Sequence, residues 1–226
     1  NWIFNGIPKD QRSQIMKQTW DLVKHNYVIK SNEEILKEMD HKDTAKYTTS
    51  KKFKQDLLEI FRTPEYKNKT IVEIGASQGH STRLLSHIFK KVTAVEWDDF
   101  NLSQAKERNK DRSNVEFIKM DLYNDNWEDY LPNTTDVVFI DAGHQYHQVK
   151  SDILNSVKMW KNPIFIFDDY GLIEEVKQAV DEQISNSTLK FSTWVGSHKD
   201  NFHHASGTKM LFDDWEGCIC NLNKKI

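Results

Sequence analysis

The chain has 226 residues, with 31 basic against 34 acidic side chains and a formal charge of −3. Hydrophobic residues make up 38% and aromatics 12%, with only 8 Gly and 4 Pro; this excludes collagen-like, low-complexity and wholly disordered chains and fits one full-sized domain. A near-balanced charge gives no reason to expect nucleic acid or an anionic membrane as partner, and no apolar run reaches the roughly 18–20 residues that span a bilayer.

The first stretch, residues 1–65, reads as a helical cap and substrate-recognition segment on a main domain of residues 66–226. Met16, Trp20, Val23 and Tyr27 recur at helical spacing, and Phe53, Leu57, Ile60 and Phe61 do the same. Between them Thr48, Thr49 and Ser50 read as a loop and helix N-cap. The basic stretch with Lys46, Lys51, Lys52 and Lys54 reads as a solvated loop and helix face.

Beyond it the pattern alternates. Strands are predicted at 70–74, 92–95, 115–118, 137–140 and 164–167, and helices at 81–89, 102–109, 149–160 and 172–184. That order needs crossovers and a parallel sheet covered on both faces: a Rossmann-like, doubly wound α/β fold. Two more strands, 189–195 and 208–212, follow without a helix between them and are expected to pair antiparallel. Cys218 and Cys220, two residues apart, would share one strand face. Two cysteines build no disulfide framework, so the expectation is a reduced, cytoplasmic protein.

In such a sheet ligands sit beyond the carboxyl ends of the strands. Those ends carry Glu73, Glu96, Asp121, Asp141, Asp168 and Asp169. The first strand runs through Glu73 and Ile74 into Gly75-Ala76-Ser77-Gln78-Gly79-His80-Ser81-Thr82. The dinucleotide pattern G-x-G-x-x-G is broken at Ser77 and His80, which argues against a dehydrogenase. The shorter G-x-x-x-G loop can still offer amides to a carboxylate, and Glu73 suits a ligand carrying positive charge. Glu96 is placed for ribose hydroxyls, and Trp97 either lies on an adenine or covers core. Asp121 is a turn or cap residue, or else meets an adenine edge between the soft walls of Met120 and Leu122.

This order of strand ends, continued by Phe139-Ile140-Asp141-Ala142-Gly143-His144-Gln145-Tyr146, resembles the class I S-adenosylmethionine-dependent methyltransferases over about residues 70–184. The resemblance implies that Glu73, Gly75 and Gly79, with Ala76, Ser81 and Thr82 in the same motif, flank the methionine part. It implies Glu96 at the ribose, Asp121 at the adenine, and an antiparallel seventh strand. The F-I-D-x-x-H-x-Y run is similar to small-molecule methyltransferases, and Ile164 to Gly171, with Asp168-Asp169-Tyr170, resembles the macrocin-type sugar O-methyltransferases. By that likeness, and by analogy with catechol-type enzymes, Asp141, Asp168 and Asp169 would hold Mg²⁺ or a similar divalent cation. Three crowded acids would also repel one another unless a cation or protons compensated. His144 is the nearest candidate for a general base, or else packs beside the cofactor; Tyr146 and Tyr170 read as pocket wall and His147 as solvent-facing.

The expected function is therefore methyl transfer from S-adenosyl-L-methionine to a hydroxyl of a small sugar- or catechol-like molecule, with a homodimer through the caps left open. Two other readings stay in view: a methyltransferase for nucleic acid or protein, and a non-catalytic nucleoside-binding module. Against the former, Asp141-Ala142-Gly143-His144 lacks the Asn/Asp-Pro-Pro-Tyr box of base methyltransferases. His198, His203 and His204 lack helical metal-ligand spacing and read as an exposed loop or a lid.

Overall fold

The computed structural model describes residues 30–41, 48–197, 211 and 214–223. Its strands are β1 (Thr70–Ile74), β2 (Lys91–Glu96), β3 (Val115–Lys119), β4 (Val137–Ile140), β5 (Ile164–Phe167), β6 (Leu189–Val195) and β7 (Gly217–Leu222). Its helices are α1 (Asn32–Glu38), α2 (Lys51–Phe61), α3 (His80–Leu85), α4 (Asp99–Arg108), α5 (Trp127–Tyr130), α6 (Tyr146–Met159) and α7 (Glu174–Ser185). The strands form one sheet in the order β3-β2-β1-β4-β5-β7-β6. β1 to β5 run parallel, and β7 inserts antiparallel between β5 and β6. The direction of winding reverses between β1 and β4, which opens a crevice at their carboxyl ends.

Side-chain alternation builds two cores from the same strands. Val72, Ile74, Val138, Ile140, Phe165 and Phe167 pack with residues of α6 and α7 on one face. Ile71, Val137, Phe139 and Ile166 pack with residues of α1, α2 and α3 on the other. The Ser50 side chain caps α2 by accepting from the Phe53 N–H at 3.1 Å, as the Thr-Thr-Ser cluster suggested. Phe53, Leu57, Leu58 and Phe61 are all buried, so α2 is part of the sheet's own core rather than a lid above it.

The seventh strand is displaced from its expected place. Leu211 is not in a strand, and 208–210 and 212 lie outside the described residues, as does the amphipathic stretch from Met16 to Tyr27. The strand that pairs with both β5 and β6 is Gly217–Leu222, where Phe165 faces Cys220 and Phe167 faces Cys218. Both cysteines thus share one face and are buried there as free thiols. Gly217 and two cysteines carry a weaker strand signal than Thr208–Phe212, whose β-branched and aromatic residues drew the assignment. Helix α1 carries a capping box, the Ser31 side chain on the Glu34 N–H and the Glu34 carboxylate on the Ser31 N–H; the S-x-x-E spacing was readable, but the helix has only 7 residues. Among the described residues no helix is long and apolar enough to cross a membrane.

Candidate cofactor and active site

The carboxyl ends of β1 to β4 surround a cavity of about 420 Å³ whose lining includes Gly75, Ser77, Glu96, Trp97, Asp121, Leu122 and Asp141. The β1–α3 loop makes its floor through three left-handed residues: Gly75 (φ +91°), Ser77 (φ +45°) and Gly79 (φ +76°). A Cβ on Gly75 would strike the Asp141 carbonyl oxygen, and one on Gly79 would lie 2.9 Å from the Ala105 Cα. The two motif glycines are therefore fixed by backbone conformation and by close packing. Ala76 is buried, its N–H bonded to the Val95 carbonyl at 2.8 Å, which ties the loop to the end of β2.

Glu96 Oε2 accepts from the Ser77 N–H at 2.7 Å, and Oε1 accepts from the N–H groups of Trp97 and Asp98 at 3.0 and 2.9 Å. Three amides lock the carboxylate at the cavity wall, and its oxygens have acceptor capacity left for hydroxyl donors. Trp97 is 68% exposed at the rim, so it covers no core. Asp121 is a turn residue that also lines the cavity. It accepts from the N–H groups of Tyr123 (3.0 Å) and Asn124 (3.3 Å) and from Asn124 Nδ2 (2.8 Å), which hold its carboxyl below the usual range.

Glu73 lies beneath the loop, fully buried, and does not line the cavity. Thr82 Oγ1 donates to its Oε2 at 2.5 Å. Burial pushes its carboxyl up to about 7, with the Ser81 and Thr82 hydroxyls pulling the other way. Ser81 and Thr82, buried in the first turn of α3, thus act on the acid below the loop rather than on the cavity.

On the other side of Asp141 the expected acid triad is rearranged. Among the described residues, Asp141, His144 and Asp169 bring ligand-type atoms within 4.8 Å of one another. His144 Nε2 stands 3.2 Å from Asp169 Oδ2. Asp168 is buried but outside this group, so His144 takes the place expected for it. Neighbouring residues leaving a strand point to opposite sides, and only one of an Asp-Asp pair can aim at a given point. Asp169 does so from a left-handed backbone (φ +57°), a conformation Asp tolerates better than most residues.

Tyr146 and Tyr170 do not line this cavity. Their hydroxyls donate to Glu182 at 2.5 Å and Asp181 at 2.6 Å, fastening the loops after β4 and β5 to α7. His147 is exposed, as read. Lys54 lies fully buried, donating to Thr48 Oγ1 at 3.0 Å and to the Thr49 carbonyl, rather than on a solvated face. Lys46, His198, His203 and His204 lie outside the described residues. Ser77, Asn101, Tyr123, Asn124, Gly143 and Gln148 also line the cavity without having been singled out as lining residues. The Asx-type turn at Asp121 could have flagged Tyr123 and Asn124. Asn101 and Gln148 carried no local signal.

Residues 72–170 match the family model of a methyltransferase domain. An O-methyltransferase from Bacillus cereus solved with SAH is similar in fold, at 16% identity and TM-score 0.57, covering 91% of this chain and 97% of that one. Precorrin-6y C5,15-methyltransferase from Geobacter metallireducens matches at 15% and TM-score 0.57, covering 82% and 95%. Fibrillarin from Aeropyrum pernix, solved with natively bound S-adenosyl-L-methionine, matches at 14% and TM-score 0.52, covering 74% and 71%. Likeness at such identities is likeness of fold. With the strand order, it gives the described residues a Rossmann-like methyltransferase fold, within which residues 72–170 match a methyltransferase-domain model. No curated protein sequence matches the chain.

Proposed function

We propose that the chain transfers the methyl group of S-adenosyl-L-methionine to a hydroxyl of a small acceptor, sugar- or catechol-like. The observation that carries this is a shared residue: Asp141 belongs both to the cavity wall and to the cluster with His144 and Asp169. A cofactor in the cavity would direct its sulfonium toward that cluster. The acceptor oxygen must then lie in line with the methyl carbon and sulfur, and proximity supplies most of what the reaction needs. As the O–CH₃ bond forms the S–CH₃ bond breaks, its electron pair stays on sulfur, and the hydroxyl proton leaves. His144, held by Asp169, is the base in reach of that position. Glu96, Asp121, Asp141 and Asp169 make the surroundings acidic, which favours a sulfonium and disfavours a phosphate backbone, so a nucleic-acid acceptor fits less well.

The same cluster fits a divalent cation. Its donor set is two carboxylates and one imidazole, which suits Mn²⁺ or a similar borderline ion better than Mg²⁺, a cation of oxygen-only sites. Asp141, His144 and Asp169 would hold it. With such an ion bound, His144 would serve as a ligand in place of base, and the ion would orient vicinal hydroxyls and lower the pKa of one of them. The test combines calorimetry with labelled cofactor. The chain should bind S-adenosyl-L-methionine and methylate a catechol or glycoside panel, and Mn²⁺ should raise the melting temperature in wild type but not in Asp169→Asn. Absence of cofactor binding overturns the reading. Cofactor binding with methyl transfer but no metal effect leaves His144 and Asp169 as a metal-free pair.

A further inference from the structure

Tyr123 is half exposed, and its ring forms part of the cavity wall. The phenol oxygen packs against Gly143, 2.5 Å from where a Cβ there would stand, and donates toward Asp152 Oδ2 at 3.5 Å. Asp152 sits on α6 with no exposure at all, and its other oxygen, Oδ1, has no hydrogen-bond partner. Gly143 is wedged in place: a Cβ on it would also collide with Gln148 Oε1. Gly143 lies two residues after Asp141 and one before His144. One phenol oxygen thus joins three pieces distant in sequence: the turn after β3, the loop after β4, and α6.

We propose that Tyr123 is a positioning residue, its hydroxyl clamped between Gly143 and Asp152 so that the loop bearing Asp141 and His144 is held in register with the cofactor cavity. The ring touches the cavity and the hydroxyl fixes the loop, so occupancy on one side and loop order on the other are linked through one side chain. Asp152 is fully buried, and the phenol is the hydrogen-bond partner of its Oδ2. Tyr123→Phe keeps the ring and removes only the clamp. Asp152→Asn keeps an acceptor for the hydroxyl without a charge. Gly143→Ala displaces the hydroxyl from the opposite side.

Amide hydrogen exchange on the full chain, with and without S-adenosylhomocysteine, tests this. In Tyr123→Phe and in Gly143→Ala, residues 141–146 should exchange at least tenfold faster than in wild type, with the rest of the sheet unchanged. Asp152→Asn should stay close to wild type. Unchanged exchange at 141–146 in Tyr123→Phe, or a speed-up spread evenly over the sheet, overturns the clamp. The proposal rests on the methyltransferase reading only for its kinetic consequence, a fall in kcat. Should the chain bind no S-adenosylhomocysteine, exchange in the unliganded protein still decides the clamp, and the two failures remain separate.

Discussion

Single residues at the cavity carry the most specific expectations. Glu96 holds three backbone N–H groups and still faces the cavity. Glu96→Ala leaves those donors without their acceptor and removes the proposed ribose partner. The expected loss is about 1–3 kcal/mol of cofactor affinity, at least tenfold in Kd, measured by calorimetry with S-adenosyl-L-methionine. Gly75→Ala meets two obstacles at once, a backbone at φ +91° and the Asp141 carbonyl. It should cost roughly 1–3 kcal/mol from the backbone alone and lower the melting temperature visibly in a thermal scan. These two residues could be picked out in the sequence because a motif glycine and a strand-end acid are local features. The turn at Asp121 could flag Tyr123, but not its neighbours Gly143 and Asp152, which come from distant segments.

At the scale of elements, the buried acids set a pH dependence. Asp152 on α6 is raised by burial from 3.8 to about 8, and Glu73 at the end of β1 is raised by burial from 4.5 to about 7. Both hold protons in the folded state that the unfolded chain releases at lower pH. Their contribution is fully present below the unfolded values and is lost as pH climbs through the folded ones. Stability should therefore fall between about pH 4 and 8. Asp152→Asn should flatten that slope in melting temperatures taken at half-unit pH steps, and an unchanged slope would show that the carboxyl is not proton-linked. The strands β1 to β6 were legible because runs of β-branched residues bounded by turn residues mark a strand locally. β7 was not, because Gly217, Cys218 and Cys220 become strand residues only by filling the gap between β5 and β6. The acid pair after β5 was legible as chemistry but not as geometry: the left-handed backbone at Asp169 decides which of the two carboxylates reaches His144.

For the molecule as a whole, α2 packs into the same core as Phe139, Ile166 and Ile219. The ring of Phe53 lies 5.9 Å from that of Phe139, and the side chain is fully buried. Phe53→Ala should cost about 3–5 kcal/mol, and unfolding followed by far-UV and near-UV signals should stay one coincident transition. Two separated transitions would mean that α2 and the sheet are independent bodies. Sequence by itself determined the alternating α/β order, the acidic carboxyl edge and part of the cavity lining (Gly75, Glu96, Trp97, Asp121, Leu122 and Asp141), because hydrophobic period, turn chemistry and strand-end position are properties of short windows. Only the tertiary structure decided that β7 lies at Gly217–Leu222, that His144 and not Asp168 joins Asp141 and Asp169, and that Tyr123 bridges to Gly143 and Asp152. Each of those depends on contacts between segments far apart along the chain, and such contacts form only where the packed sheet brings the segments together.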